Sequence, residues 1–234
     1  MAELQDNLAA PPTPVLKMYR ALVGVGTLCG LLIVTVFVLT LPIIEQNQAA
    51  FLQSAVFQVV PGAVSKQSFF LGEDGAFRPA QAGDSPPQTV HAGFDADGKL
   101  VGVAIQGQGM GYADTIRVLY GYAPQGQTII GMQVLASKET PGLGDKIEKD
   151  ADFLQNFVAL DVSLGADGQT INNPIVPVKR GEKSAAWQID SITGATISSK
   201  AIAKILREGS AAWVPLIRAQ LDVLQQAGGS GDES

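Results

Sequence analysis

Hydrophobic residues are concentrated near the start of the chain. The segment from Ala21 to Ile44, ALVGVGTLCGLLIVTVFVLTLPII, contains no charged residue over 24 positions. As a helix it would extend roughly 36 Å, whereas about 20 apolar residues suffice to cross the hydrocarbon core of a bilayer. The pattern therefore predicts an N-terminal segment over residues 1–20 and a transmembrane helix over residues 21–44.

The main alternative for this segment is a cleaved signal peptide. Such a peptide has an apolar core of about 7 to 15 residues followed by a small-x-small cleavage site. The run here is longer, and the residues that follow it, EQNQAAFLQ, offer a poor site. Lys17 and Arg20 precede the run, and the next basic residue is Lys66, so the positive-inside rule predicts a cytoplasmic N-terminus and an external remainder.

Polar and apolar positions beyond the predicted anchor change character near residue 90. Residues 45–89 mix short apolar runs with turn residues, which predicts a connecting segment: a helix leading off the membrane and then loops. From Val90, four alternating runs are separated by short turns such as DADGK and PQGQ, a pattern typical of antiparallel hairpins. The predicted strands are VHAGF, LVGVAIQG, DTIRVLYGYA and TIIGMQVLAS.

Helical spacing dominates the last third of the chain. Ile147, Phe153, Phe157 and Leu160 are spaced for a helix, AAWQID is typical of a strand, and an apolar stripe from Thr196 onward predicts a long helix, kinked or split near Pro215. We therefore predict an α+β domain over residues 90–227, with helices packed on a mostly antiparallel sheet, and a disordered tail over residues 228–234.

Charge and cysteine content exclude several functions. The residues after the first twenty hold 14 basic and 20 acidic side chains, so nucleic acid is not expected as a partner. The only cysteine, Cys29, lies in the apolar run, so the external part has no disulfide. Gly26 and Gly30 form a small-xxx-small face in that run, which fits either ordinary glycine usage in membrane helices or contact with another helix.

Familiar catalytic patterns are absent from the sequence. The only histidine, His91, falls in a predicted hairpin strand, which favours a structural role, and no catalytic or metal-binding residues are predicted. DADG lacks the downstream glutamate of a calcium loop. GQGMGY has glycines at every second position and precedes a strand, unlike a dinucleotide-binding fingerprint.

The stretch DSITGATISSK, Asp190 to Lys200, combines several features of an anion site. Asp190 ends a strand, Thr193 and Gly194 form a turn, and Thr196 stands in the first turn of a helix, where free backbone N–H groups favour an anion. The other candidate contributors are Ala195, which leaves room for a bulky group, the hydroxyls of Ser198 and Ser199, and the charge of Lys200. An ordinary helix N-cap is the alternative interpretation.

The segment Asp190 to Thr196, D-S-I-T-G-A-T, resembles the flavinylation motif Asp-x-x-Ser/Thr-Gly-Ala-Thr. This motif occurs in the FMN-binding G subunit of the Rnf electron-transport complex and in the C subunit of sodium-translocating NADH:quinone reductase. In that family the last threonine carries FMN through a phosphoester, and the resemblance assigns this role to Thr196.

A second segment, SKETPGLGDKI, resembles the loop that surrounds the flavin in the same family. Pro141 and Gly142 fit the centre of a type II turn. The resemblance implies that Glu139 and Thr140 bond the polar edge of the isoalloxazine, that Leu143 covers its apolar face, and that the backbone approaches it closely at two glycines. The flavin-contacting residues predicted outside the helix are Glu139, Thr140, Gly142, Leu143, Gly144 and Tyr112.

The resemblance implies a function as well as a cofactor. It predicts a single-pass protein of the bacterial inner membrane whose periplasmic domain carries covalent FMN and relays electrons within an ion-translocating ferredoxin:NAD oxidoreductase, with no independent substrate turnover. The expected partners are the other membrane subunits and a flavin transferase. Three alternatives stay open: the corresponding component of the quinone reductase, an anchored binding or assembly domain without redox chemistry, and a free-standing FMN-domain reductase.

Overall fold

The computed structural model of the chain describes residues 15–80 and 88–226. The expected disordered tail, most of the expected cytoplasmic N-terminus and part of the loop near residue 85 lie outside these ranges. The chain divides into two units, Met1–Ala50 and Phe51–Ser234.

The first unit consists of the beginning of helix α1, Val15–Val59, which is 45 residues long. The side chains of residues 15–50 are all exposed, as expected for a helix surrounded by lipid. Helix α1 is the one helix in the described ranges that is long and apolar enough to cross a membrane. Because α1 runs beyond the predicted 21–44 span on both sides, the apolar core of the span lies inside a longer helix.

The second unit is built on a seven-stranded antiparallel sheet. Its strands lie in the spatial order β2-β1-β3-β4-β5-β6-β7. The strands are β1 Ser65–Leu71, β2 Phe77–Pro79, β3 Thr89–Phe94, β4 Leu100–Met110, β5 Thr115–Ala123, β6 Thr128–Ala136 and β7 Leu160–Asp161. The four strands predicted from the hairpin pattern are β3 to β6, and the predicted α+β class is confirmed.

The rest of the second unit consists of short helices, a small parallel ladder and one long helix. The ladder pairs Val176 with Gln188 and Val178 with Asp190. These elements are a 3₁₀ helix Gly144–Glu148, α2 Ala151–Gln155, β8 Val176–Val178, β9 Gln188–Asp190, α3 Thr196–Ala219 and α4 Leu221–Gln226.

The sheet is covered on both faces. Alternating residues such as Ile105, Val118 and Tyr120 face the core beneath α3, as the two-residue period of a strand requires. Leu119 faces the other way, toward the end of α1. Gly121 makes that second contact possible, because a Cβ atom there would lie 1.9 Å from the carbonyl oxygen of Val59.

Two of the predicted elements are wrong, and a third has a shifted boundary. The loops expected before residue 90 include β1 and β2, which pair with each other, and β1 also pairs with β3. The helix expected across Ile147 to Leu160 is divided, because the Asp150 side chain accepts a hydrogen bond from the Phe153 N–H (3.0 Å) and starts a new helix. The helical run that was expected to kink or split near Pro215 passes through that residue and is split at Gln220, between α3 and α4.

Candidate functional site

The start of α3 forms the centre of the candidate site. Strand β9 ends at Asp190, Gly194 adopts a left-handed backbone conformation with φ of 83°, and α3 begins at Thr196. The residue before the helix, Ala195, makes no side-chain cap. The first backbone N–H groups of α3 are therefore free of a capping side chain at the point where Thr196 is exposed.

The hydroxyls of Ser198 and Ser199 point into the protein. Ser199 accepts a hydrogen bond from the Ile192 N–H (3.1 Å) and donates one to the Ala195 carbonyl (2.9 Å), which closes the turn onto the helix. Ser198 donates to the carboxylate of Glu139. Both serines are buried. Their hydroxyls bond other protein groups, whereas the sequence predicted that they would contact the phosphate.

A cleft of about 780 Å³ opens beside Thr196. One wall consists of the turn and the first helical turn, with Thr193, Gly194 and Lys200. The opposite wall comes from the end of β8 and the loop after it, where Lys179, Arg180 and Glu182 are among the lining residues. The site thus combines a hydroxyl-bearing helix start with basic side chains from a separate segment.

Arg180 differs from the two lysines in its partners. Its guanidinium bridges Asp150 (3.2 Å) and Asp152, and both carboxylates raise the pKa of this side chain above its ordinary value. Lys179 and Lys200 are exposed and make no ion pair with a carboxylate in the described part of the chain. The free positive charge in the cleft therefore comes from these two lysines.

Asp190 holds the basic loop against the rest of the site. Its carboxylate accepts a hydrogen bond from the Lys183 N–H (3.0 Å). Its own N–H donates to the side-chain oxygen of Asn156 (3.0 Å), which also accepts from the Lys183 ammonium (3.2 Å). The first residue of the recognised motif thus connects the 179–183 loop to the strand that leads into α3.

The loop after β6 forms the predicted turn. Gly142 has φ of 79°, and the Leu143 N–H donates to the Thr140 carbonyl (3.1 Å), as expected for a Pro-Gly turn. The Gly142 N–H donates to the Asp145 carboxylate (2.7 Å). Thr140 and Leu143 are exposed, with Leu143 showing 51% of its surface, so this loop presents its apolar side chain outward.

Glu139, at the start of this loop, is buried and linked to two other elements. One carboxylate oxygen accepts from the Ala113 N–H (2.9 Å) and the other from Ser198. Burial raises the pKa of Glu139, but the hydrogen bonds from Ser198 and from backbone N–H groups of residues 112–114 together outweigh burial and hold it below its usual value. An ionised carboxylate therefore joins the loop, the β4–β5 hairpin and α3.

Three residues with exposed apolar side chains adjoin, along the chain, the segments that Glu139 joins. Tyr112 precedes the Ala113 N–H, Leu143 follows in the loop, and Ile197 precedes Ser198 in α3. Their exposed fractions are 66%, 51% and 53%. Gly144 is buried against Glu139, since a Cβ atom there would lie 2.3 Å from a carboxylate oxygen of that residue. We call Tyr112, Leu143 and Ile197 the apolar patch.

The predicted residues thus fall into two neighbouring sets. Thr193, Gly194, Thr196 and Lys200 line the basic cleft, whereas the loop from Glu139 to Gly144 approaches α3 through Ser198 and does not line that cleft. Sequence reasoning missed Lys179, Arg180 and Ile197. The run KRGEK was a usable signal, because it is a local concentration of basic residues in an acidic domain.

Residues 111–210 match the family model of the FMN-binding domain. This segment is similar to FMN-binding domains. The matched segment contains Thr196, which lines the basic cleft, and all three residues of the apolar patch.

Several curated relatives share one name, which describes them as the G subunit of an ion-translocating oxidoreductase complex. The relative from Methanosarcina acetivorans is 34% identical over 122 residues, which cover 52% of this chain and 56% of that protein. The relative from Shewanella baltica is 27% identical over 208 residues, which cover 86% of this chain and 89% of that protein. These relatives confirm the resemblance to the G subunit, although the chain spans only about half the length of the first ones it matches, 56% and 47%.

Two solved structures share the fold. NqrC from Shewanella oneidensis matches with a TM-score of 0.55 and 17% identity, covering 80% of this chain and 100% of that one. The C subunit of a Na(+)-translocating NADH-quinone reductase from Parabacteroides distasonis matches with a TM-score of 0.57 and 20% identity, covering 74% of this chain and 95% of that one. At these identities the likeness shows a common fold.

Proposed function

We propose that this protein is a membrane-anchored electron-transfer subunit that carries FMN as a phosphoester on Thr196, within an ion-translocating oxidoreductase complex. The observation that carries the proposal is the exposed Thr196 at the start of α3, inside the segment that matches the FMN-binding domain and beside a basic cleft. The neighbouring serine hydroxyls are buried and already hydrogen bonded.

The residues around Thr196 fit the chemistry of FMN. A phosphate group favours free N–H groups at a helix start and nearby ammonium groups, which α3, Lys179 and Lys200 supply. An isoalloxazine ring favours apolar and aromatic surface with backbone groups nearby, which the apolar patch and the turn at Gly142 supply. Thr140 is exposed in the same loop and is assigned to the polar edge of the ring.

Bound FMN supplies a centre that accepts and releases electrons one at a time. The chain's own residues hold and shield it: Thr196 attaches the phosphate end, the apolar patch limits water at the ring, and Glu139 fixes the loop and helix that present them. A role as a relay within a complex follows, and this role implies no independent substrate turnover.

Location and partners complete the proposal. We infer that α1 spans the bacterial inner membrane once, because Lys17 and Arg20 flank only its N-terminal side, which leaves the FMN domain in the periplasm. The partners are other membrane subunits of a complex like that of the named relatives, and a flavin transferase that acts on Thr196. Membership in a quinone-reductase complex is the second candidate, and the common fold with the C subunit of that complex favours it only at the level of architecture.

Intact-mass spectrometry of the full-length protein, expressed with a flavin transferase, tests the attachment. The parent chain should gain the mass of one FMN, Thr196→Ala should gain none, and Thr193→Ala should keep the adduct because its hydroxyl lies in the turn. Denatured parent protein should stay yellow. An adduct that persists in Thr196→Ala would contradict the assignment, and absence of any adduct in the parent would contradict covalent attachment altogether.

A further inference from the structure

Asn156, which directly follows α2, is a buried polar residue whose side chain makes four hydrogen bonds to described residues. Its side-chain oxygen accepts from the Asp190 N–H (3.0 Å) and from the Lys183 ammonium (3.2 Å). Its NH₂ group donates to the carbonyls of Asp190 (3.3 Å) and Phe153 (2.9 Å). Asn156 is 4% exposed and lies outside both recognised motifs. A buried amide with this set of partners fixes the position of the groups it contacts.

Asp190 connects Asn156 to the loop of residues 179–183. Asn156 bonds both the N–H and the carbonyl of Asp190, so the end of β9 is held by both of its backbone groups. The Asp190 carboxylate accepts from the Lys183 N–H (3.0 Å), and the Lys183 ammonium donates to Asn156. The three residues form a closed ring of contacts. The loop and the strand end that leads to Thr196 therefore take their relative position from Asn156.

Helix α2 is itself held at two places. Phe153 is buried and packs edge-on against the buried ring of Phe157, with ring centres 5.2 Å apart. At the start of the helix, Asp150 and Asp152 hold the guanidinium of Arg180. The loop that contains Arg180 is therefore attached at the start of α2 as well as at its end.

The same helix follows closely after the loop that carries Leu143. The 3₁₀ helix Gly144–Glu148 begins directly after Leu143, and α2 spans Ala151–Gln155. Ile147, between them, is fully buried. One short segment, residues 144–156, thus joins the loop with Leu143 to the contacts made by Asn156.

We propose that Asn156 is a positioning residue, which holds the 179–183 loop and the strand end at Asp190 in a fixed position relative to the loop that carries Leu143. The inference rests on the proposed function, in which FMN extends from Thr196 to that loop. Asn156 does not line the cleft, so it acts on the flavin through Asp190 and Lys183. Supporting contacts of this kind reduce the conformational entropy that a site loses when it holds a ligand.

The first measurement needs no flavin. Full-length protein in detergent, produced without a flavin transferase, is followed by hydrogen–deuterium exchange at single-residue resolution. Asn156→Ala should reduce the protection of the Asp190 N–H, its direct partner, roughly tenfold, as expected for the loss of one hydrogen bond. The Lys183 N–H should lose protection to a similar extent, although its acceptor on Asp190 is unchanged, because Asn156 no longer holds Asp190.

The second measurement uses the flavinylated protein. Asn156→Ala should shift the absorption spectrum and the reduction potential of the FMN, because the two parts of the site are no longer held together. Asn156→Asp keeps an acceptor for the Asp190 N–H and the Lys183 ammonium, so it should recover most of the parent's protection and potential. Lys183→Met removes only an exposed ammonium and should shift the spectrum in the same direction by a smaller amount, which keeps the test decisive if Asn156→Ala does not fold.

Gln220→Ala is the matched control. The Gln220 side chain also bonds one backbone N–H and one backbone carbonyl, those of Phe77 (2.9 Å) and Gly75 (2.8 Å), but at the far end of α3 from Thr196. This variant should speed exchange at Phe77 and lower the stability, yet leave the protection of Lys183 and the FMN spectrum as in the parent.

The two proposals have separate failures. Asn156 would have a structural role alone if its Ala variant exposed the Asp190 N–H but not the Lys183 N–H, or if Gln220→Ala shifted the FMN spectrum equally. A parent chain that never gains an FMN adduct would contradict attachment to Thr196, and the exchange of Lys183 would then decide on Asn156 by itself.

Discussion

Ser198 donates a hydrogen bond to the buried carboxylate of Glu139, although 59 residues separate them in the sequence. The bond connects the turn after β6 to the first turn of α3, close to Thr196. Glu139 also accepts from the Ala113 N–H, so one carboxylate joins three segments. The two recognised sequence motifs thus meet through this contact.

Glu139→Gln should therefore destabilise the domain. The amide of glutamine carries no charge and has only one acceptor oxygen. Its NH₂ group therefore faces either the Ala113 N–H or the Ser198 hydroxyl, both of which donate to Glu139, and buried donors are left without an acceptor. We expect a loss of about 1 to 3 kcal/mol in the free energy of unfolding, measured by chemical denaturation. Glu148→Gln, an exposed glutamate of the 3₁₀ helix, is the matched control and should change little.

The same carboxylate gives a pH dependence with a defined sign. Its folded pKa lies below the unfolded value, so the unfolded chain binds more protons between the two values. The contribution of Glu139 is full above the unfolded pKa and is lost as the pH falls through the folded one. Parent and Glu139→Gln stabilities should converge on acidification; a constant difference from neutral to strongly acidic pH would contradict the ionised state.

The apolar patch should tune the flavin without attaching it. Leu143→Ala and Ile197→Ala remove apolar cover but leave the Thr196 hydroxyl in place. Both variants should carry one FMN by mass, with a shifted absorption spectrum and a changed reduction potential. Val158→Ala, which alters an equally exposed side chain outside the two motifs, should match the parent. Spectra and potentials identical to the parent in both patch variants would limit the loop to a structural role.

How far the sequence predicted this site depends on how local each signal was. Asp-Gly and Pro-Gly turns are set by a few neighbouring residues, so the hairpin at DADGK and the turn at Gly142 were predictable. The meeting of Glu139 with Ser198 was not, because it depends on how α3 packs on the sheet. Lys179 was missed because its position also depends on contacts between distant segments. The pairing of β8 with β9 brings it to the cleft that Thr196 lines. Strand β1, SKQSFFL, was missed because its polar start resembles a loop.

His91 should make stability depend on pH in the mildly acidic range. It is buried in β3, its Nδ1 is hydrogen bonded to the Ser68 hydroxyl (2.8 Å), and its Nε2 has no partner among the described residues. Burial, and secondarily the charge of Lys66, lower the pKa of His91 to about 4. The ring is therefore neutral in the folded protein at neutral pH.

The sign follows from the lowered pKa. Between about pH 4 and 6.5 the unfolded chain binds a proton that the folded chain does not, so stability falls as the pH falls through this window. The loss due to His91 should reach about 2 kcal/mol between pH 7 and pH 5. Denaturation of the parent and of His91→Gln at both values checks this, since the variant should lose that part of the decrease. Parallel curves would mean that His91 titrates normally.

The proposed orientation of α1 predicts a pattern of protease protection. Protease added to intact spheroplasts should digest the domain after residue 60 and leave an N-terminal epitope tag untouched, because Lys17 and Arg20 keep that end in the cytoplasm. Adding arginines directly after Ile44 should weaken this bias, and some chains should then invert. Protection of the domain in the parent would contradict its periplasmic location. The flavin transferase that acts on Thr196 would then have to be cytoplasmic.

The relay role predicts that the flavin matters only inside the complex. Purified flavinylated protein should be reduced by dithionite but should oxidise NADH at a negligible rate. In membranes, Thr196→Ala should abolish electron transfer through the complex while its subunits still co-purify, and Thr193→Ala should retain both properties. Rapid NADH oxidation by the purified protein would favour a free-standing reductase, and full activity of the complex in Thr196→Ala would remove this flavin from the electron path.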